Sequence, residues 1–213
     1  MKRGLARIAS LLIVGFLIGA GVAGLQIKNE VGSQNRVDKS YIDETMKGAK
    51  IGGPFELVNH DGEVVTEKSW PAQYLLIFFG FTHCPDICPL NMNIITQALN
   101  NADNEIVDHV QPLMITIDPD RDDALAMKEY MSLFHSKFVG LTGTHEQIKV
   151  ATAAYRVYEQ KVLFDEAGKD PNDYTMNHSS FTYLMSPEGK LLDVFAHDTP
   201  PDEVMAALEK FVN

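Results

Sequence analysis

Cys84 and Cys88 are the only cysteines in the 213-residue chain, and they lie close together in Phe81-Thr82-His83-Cys84-Pro85-Asp86-Ile87-Cys88-Pro89. The spacing is Cys-x-x-x-Cys. Residues four apart share one face if the segment is helical, and they approach each other in a tight loop as well. A pair this close closes too small a loop to stabilise a fold by cross-linking. It therefore calls for a chemical explanation. At a helix N-terminus the macrodipole and free N–H groups favour thiolate, the form that attacks disulfides and binds soft metals. Two chemistries stay open on spacing alone: dithiol/disulfide exchange and metal binding.

The elements around the pair set where it sits. Tyr74–Phe79 is a continuous apolar run, too short for a helix, that reads as a central strand buried on both faces. Gly80–Pro89 reads as the loop after it, and Asn91–Ala98 continues with helical spacing. Upstream, Phe55–Val58 and Val64–Val65 flank the turn His60-Asp61-Gly62. Downstream, Leu113–Ile117 is a second buried strand closed by Asp118-Pro119. A helix is expected over Asp122–Phe134, with Leu125, Tyr130, Leu133 and Phe134 on one side. Val139–Leu141 reads as a short strand and His145–Tyr155 as a helix. Phe181–Met185 and Leu191–Phe195 form a hairpin across Ser186-Pro187-Glu188-Gly189, and Pro201–Val212 is a closing helix. This order predicts an α/β fold, a thioredoxin-like mixed sheet flanked by helices. A cysteine pair between the first long buried strand and a helix is the thioredoxin-like placement.

The N-terminus departs from globular composition. Lys2, Arg3 and Arg7 precede the charge-free run Ile8–Leu25. As a helix that run spans about 27 Å, close to the hydrocarbon thickness of a bilayer. A cleaved signal peptide has the same charge pattern but a shorter core, and Val22-Ala23-Gly24 is a poor cleavage site. The expected organisation is an N-terminal membrane-anchor helix (1–28), a polar linker (29–50) and a thioredoxin-like domain (51–213). Positive charge stays cytoplasmic, so the domain is expected in the periplasm, on a single-pass inner-membrane protein. Setting aside residues 1–30, which hold Lys2, Arg3, Arg7, Lys28 and Glu30, leaves 14 basic and 28 acidic side chains, net −14. Such a surface repels nucleic acid.

Of the seven histidines, His178 stands out. It lies in Asp173-Tyr174-Thr175-Met176-Asn177-His178-Ser179-Ser180, read as a loop entering the strand Phe181–Met185. In a thioredoxin-like sheet that loop faces the cysteine loop, and no proline occupies it here. His60, His109, His135, His145 and His197 read as turn or surface residues. The nine methionines are scattered and read as core packing.

Gly80–Pro89, Ile117–Asp122, Tyr174–Ser180, Tyr183-Leu184 and Pro187–Gly189 together resemble the SCO/SenC family of copper metallochaperones. The resemblance runs from about Ile51 to the end. It implies one copper per chain, as Cu(I) or Cu(II), held by Cys84, Cys88 and His178. It implies delivery of copper, or of reducing equivalents, to the copper A subunit of cytochrome c oxidase. Other copper chaperones or thioredoxin-like reductants are implied as further partners. Asp118 falls on an acidic position that the family keeps beside the site, although a strand-terminal Asp also caps helices. Asn177 stands where family members often have Asp before the ligand histidine. The competing reading is a thiol-disulfide oxidoreductase that needs both cysteines but not His178. A peroxidase of the same fold would rely on one attacking cysteine near Thr82.

Overall fold

The computed structural model describes residues 50–164 and 173–212. The expected anchor (1–28) and almost all of the linker (29–50) lie outside the described residues. Among the described residues no helix is long and apolar enough to cross a membrane.

Among the described residues, nine strands and five helices follow one another as β1 (Glu56–Asn59), β2 (Val64–Thr66), β3 (Tyr74–Gly80), α1 (Ile87–Asn101), α2 (Asn104–Asp108), β4 (Val110–Thr116), α3 (Ala124–Met131), β5 (Val139–Thr142), α4 (His145–Ala154), β6 (Glu159–Leu163), β7 (Tyr174–His178), β8 (Phe181–Met185), β9 (Leu191–Ala196) and α5 (Pro201–Phe211). Seven strands form one sheet in the order β2-β1-β5-β4-β3-β8-β9. Pairs β3–β4 and β4–β5 are parallel, and β1–β2, β1–β5, β3–β8 and β8–β9 are antiparallel. The mixed sheet expected from the element order is present.

Buried apolar runs explain the centre of the sheet. Leu76, Ile77, Phe78 and Phe79 of β3 and Leu113, Met114 and Ile115 of β4 have no exposed surface. Both faces of these strands must be covered, and helices do it. On one face Phe78, Met114 and Thr182 stand in register. There α1 docks, its Asn91 amide bonded to the Thr182 hydroxyl at 2.8 Å, and α5 packs beside α1. On the other face Phe79 and Tyr183 pack against Tyr155 at the end of α4.

Three local expectations are corrected. Helix α1 begins at Ile87, so Cys88 lies in its first turn and not in a preceding loop. Pro89 permits this, because the first-turn N–H groups have no intrahelical partner to lose. Helix α3 is shorter than Asp122–Phe134; Asp123 caps it by accepting from the Ala126 N–H at 2.8 Å. Its buried side chains are Met127 and Met131, while Leu125 and Leu133 are exposed. The spacing of four puts the two methionines on the sheet side, over Gly140. Finally, the segment read as a loop around His178 is strand β7. It pairs antiparallel with β6 in a separate two-stranded sheet. Strand β6 is mostly exposed and polar, so no buried alternation marked it.

Gly140 is a sensitive point of this packing. An added Cβ would sit 3.0 Å from Met127 Cε and Met131 Cγ and 3.1 Å from Met127 Cβ. Gly140→Ala should overpack the α3–β5 contact and lower stability by about 1–3 kcal/mol. Urea unfolding measures it; an unchanged midpoint would show that α3 moves away freely.

Candidate metal centre

Strand β3 ends at Gly80, and the chain turns through Phe81–Asp86 into α1. The turn is held by a buried carboxylate. Asp122 has no exposed surface. Its Oδ2 accepts from the Thr82 N–H at 3.0 Å and the Thr116 hydroxyl at 2.6 Å, and its Oδ1 accepts from the Thr82 hydroxyl at 2.6 Å. The carboxyl ends of β3 and β4 are thereby tied to one side chain. Gly80 is required just before the turn, since a Cβ there would lie 3.0 Å from Cys88 Sγ and 2.6 Å from Phe78 Cε1.

The two cysteines are free thiols at the N-terminus of α1, Cys88 buried and Cys84 half-buried. The Cys88 N–H donates to Cys84 Sγ at 3.4 Å. The Asp86 side chain makes no capping bond, so the Cys84 sulfur takes the role of cap. The Cys84 thiol is brought down to about 6. The main cause is the hydrogen bond it receives from the Cys88 thiol; the N–H groups of Asp86, Cys88 and Ile87 add to it, and burial opposes. Cys88 is pushed the opposite way, because its proton bridges to Cys84 and its sulfur is buried. The arrangement therefore favours thiolate at Cys84 and thiol at Cys88.

His178 ends β7 and faces the pair. Its Nε2 lies 3.7 Å from Cys88 Sγ. Its Nδ1 lies 2.9 Å from the Ser179 carbonyl oxygen. That oxygen can only accept, so Nδ1 carries the proton and Nε2 is an acceptor that shares the Cys88 S–H with Cys84. Phe78 and Phe81 approach the ring edge-on at 6.4 and 5.9 Å. Burial holds the imidazole below its usual value, against the Ser179 bond, and so keeps it neutral.

The donor set fits a soft metal ion: one thiolate, one thiol and one neutral imidazole with its lone pair directed at sulfur. Metal–nitrogen and metal–sulfur bonds of 2.0 and 2.3 Å at tetrahedral angles span about 3.5 Å between donors. The observed 3.7 Å between Cys88 and His178 is close to that. Among the described residues no three His, Cys, Asp or Glu side chains already surround one point at ligand spacing. Cys84 meets the pair through Cys88, and a three-donor site needs one of the three to shift.

The other residues singled out by sequence take different places. Asp118 is buried, with its Oδ2 bonded to Arg121 Nε at 2.5 Å and its Oδ1 to the Tyr174 hydroxyl at 2.6 Å. Its carboxylate thus grips the strand that carries His178. Asn177 is exposed, and strand alternation turns it to the face opposite His178. His83 is exposed and points its Nδ1 at the Thr82 hydroxyl, 3.0 Å away. Arg121, Asp122, Tyr174 and Phe81 were missed as site residues. All four lie within the segments that carried the resemblance, but nothing in their spacing marked them.

Residues 43–213 match the family model described as SCO1/SenC. The SCO2-like protein of Rickettsia conorii is 39% identical over 198 residues, 93% of this chain and 94% of that protein. The human mitochondrial protein SCO1 homolog is 37% identical over 202 residues, 93% of this chain but 64% of that longer protein. The solved structure of Bradyrhizobium japonicum ScoI with copper bound is 40% identical, with TM-score 0.68, over 76% of this chain and 99% of that one.

The asymmetry of the cysteines is directly measurable. Iodoacetamide should modify Cys84 first, with a rate that rises through a midpoint near pH 6. Cys88→Ala should move that midpoint up, since it removes the main stabilising hydrogen bond. Mass spectrometry of timed samples reads both; equal reactivity of the two thiols near the ordinary value of about 8.5 would refute the arrangement.

Proposed function

We propose, for a chain that belongs to the SCO1/SenC family, that it carries one copper ion and serves in assembly of the copper A centre of cytochrome c oxidase. Cys84 and Cys88 would hold the ion through sulfur and His178 through Nε2. The observation that carries this is the 3.7 Å approach of Nε2 to Cys88 Sγ, with Nδ1 already engaged by Ser179. Two soft sulfurs suit Cu(I), and the imidazole accommodates Cu(II). Three donors leave a position open, which is what transfer to another protein's ligands requires. Copper-bound Bradyrhizobium japonicum ScoI supports the choice of metal.

The chain's own groups do the rest. The Asp122 carboxylate holds the cysteine turn, so the sulfurs need little ordering on binding. Phe78 and Phe81 wall the imidazole and restrict water beside it. The half-buried Cys84 is the donor reachable by a partner.

A second reading rests on the thiolate character of Cys84. Its sulfur attacks a disulfide of the acceptor, one acceptor thiolate leaves, and a mixed disulfide forms. Cys88 then gives its proton to the acceptor thiolate already released and attacks Cys84 Sγ, releasing the second acceptor thiolate. The acceptor gains two electrons and the pair loses two, ending as a disulfide. Both roles fit one pair, because only the reduced form can ligate copper.

The proposed setting is an inner-membrane anchor over 1–28, a linker over 29–50 and a periplasmic domain over 51–213, with the copper A subunit as acceptor. The basic residues before Ile8 and the apolar run Ile8–Leu25 support it. Other copper chaperones or thioredoxin-like reductants are proposed as sources of copper or electrons.

Titrating the reduced full-length chain with Cu(II) should give one equivalent bound and an intense sulfur-to-copper band that is lost on mutating either cysteine. His178→Ala should weaken Cu(II) binding by more than the 10–100-fold typical of outer-shell changes. It should shift the dithiol/disulfide potential by less than about 30 mV. Equal Cu(II) affinity in wild type and mutant, with disulfide reduction intact, would replace the copper role by the oxidoreductase role.

A further inference from the structure

Strand β7 belongs to a two-stranded sheet and pairs with no strand of the seven-stranded one. A hairpin alone is at best marginally ordered in water. Its internal bonds, from the Ser179 N–H to the Tyr158 carbonyl and from the Tyr158 N–H to the Ser179 hydroxyl, hold its two strands together. They do not fix it to the body. The position of His178 must therefore be set by contacts between β7 and the main sheet.

Apart from the contacts His178 itself makes with Phe78, Phe81 and Cys88, the side-chain contacts that hold β7 gather at one turn at the end of β4. Arg121 Nη1 donates to the Tyr174 carbonyl at 3.0 Å, and its guanidinium lies 3.7 Å from the centre of the Tyr174 ring. Its Nε is fixed by Asp118, which also accepts from the Tyr174 hydroxyl. The same guanidinium lies 5.9 Å from the centre of Phe81, the ring that walls His178. Asp122, the next residue, holds the cysteine turn. Neighbouring residues of one turn thus grip the two arms that bear the sulfurs and the imidazole. Tyr174, Met176 and His178 alternate onto one face of β7. Pinning Tyr174 consequently fixes where His178 projects.

We propose that Arg121 is a positioning residue that holds β7 on the sheet, sets the reach of the His178 imidazole to the Cys88 sulfur, and so tunes the site toward Cu(II) against Cu(I). This rests on the copper reading above. Two sulfurs suffice for Cu(I), whereas Cu(II) gains from the imidazole. Loosening β7 therefore removes Cu(II) binding first. Asp118 and Tyr174 serve the same clamp from the other side of the guanidinium.

The test uses the full-length chain with Arg121→Gln, and with Tyr174→Phe as a milder variant that keeps the ring and deletes only the hydroxyl bond to Asp118. Without metal, amide exchange across Thr175–His178 should quicken about tenfold in Arg121→Gln, with β3 and β4 unchanged, as for a local opening. With copper(II) sulfate as probe, affinity should fall about tenfold, in the range of outer-shell losses. Cu(I), competed against a chelator, should fall by less than about threefold, since its sulfur ligands are untouched. Combined with His178→Ala, Arg121→Gln should cost no further Cu(II) affinity, as expected if it acts through that imidazole. Unchanged exchange in both variants, equal loss of the two oxidation states, or additive loss in the double mutant overturns the proposal. A wild-type chain that takes up no copper sinks the copper reading instead, and the exchange measurement still decides whether Arg121 holds β7.

Discussion

A carboxylate with no exposed surface ties the cysteine turn to the sheet, and the geometry of the site depends on it. Asp122 accepts from one backbone N–H and two hydroxyls. Its own carbonyl accepts from the Thr142 hydroxyl at 2.6 Å, which brings β5 into the same network. A buried charge is tolerable only when its lone pairs are met in this way. The network joins the ends of β3, β4 and β5, and the turn leaves β3 at a set angle. The sulfurs project beyond the carboxyl ends of parallel strands, where open α/β sheets place ligands.

The electrostatics of the pair follow from that placement. Cys84 stands where helix N–H groups converge and where Cys88 can donate to it; Cys88 stands under Gly80 and Phe78, away from water. The imidazole is kept neutral by the same apolar walls. A neutral, single-tautomer imidazole beside a thiolate–thiol pair costs no proton rearrangement at nitrogen when a cation arrives. It also leaves the thiolate available as a nucleophile. The proposed copper and thiol-exchange roles would be two uses of one electrostatic arrangement, separated by whether His178 takes part.

The two arms are built differently. The cysteine turn is embedded in the main sheet through backbone pairing and Asp122. The histidine arm is a hairpin held by side chains, chiefly Arg121, Asp118 and Tyr174. Side-chain contacts open at lower free energy than a seven-stranded ladder does. A ligand on that arm would suit the proposed site, which must both take up an ion and release it.

Much of this was legible in the amino-acid order alone. Uninterrupted apolar runs marked β3 and β4, because strands buried on both faces have no polar positions. The cysteine spacing and the resembling segments singled out Cys84, Cys88 and His178, since chemistry-bearing residue types are explicit in a sequence. The hairpin β6–β7 was not legible, because β6 is mostly exposed and carries no burial pattern, and the attachment of β7 through Tyr174 joins residues 56 positions apart. The grip of Asp118 on Tyr174, the outward turn of Asn177, the Nδ1–H tautomer of His178 and the entry of Cys88 into the first turn of α1 depend on distances between distant segments. Only tertiary packing decides those distances, and local pattern holds no record of them.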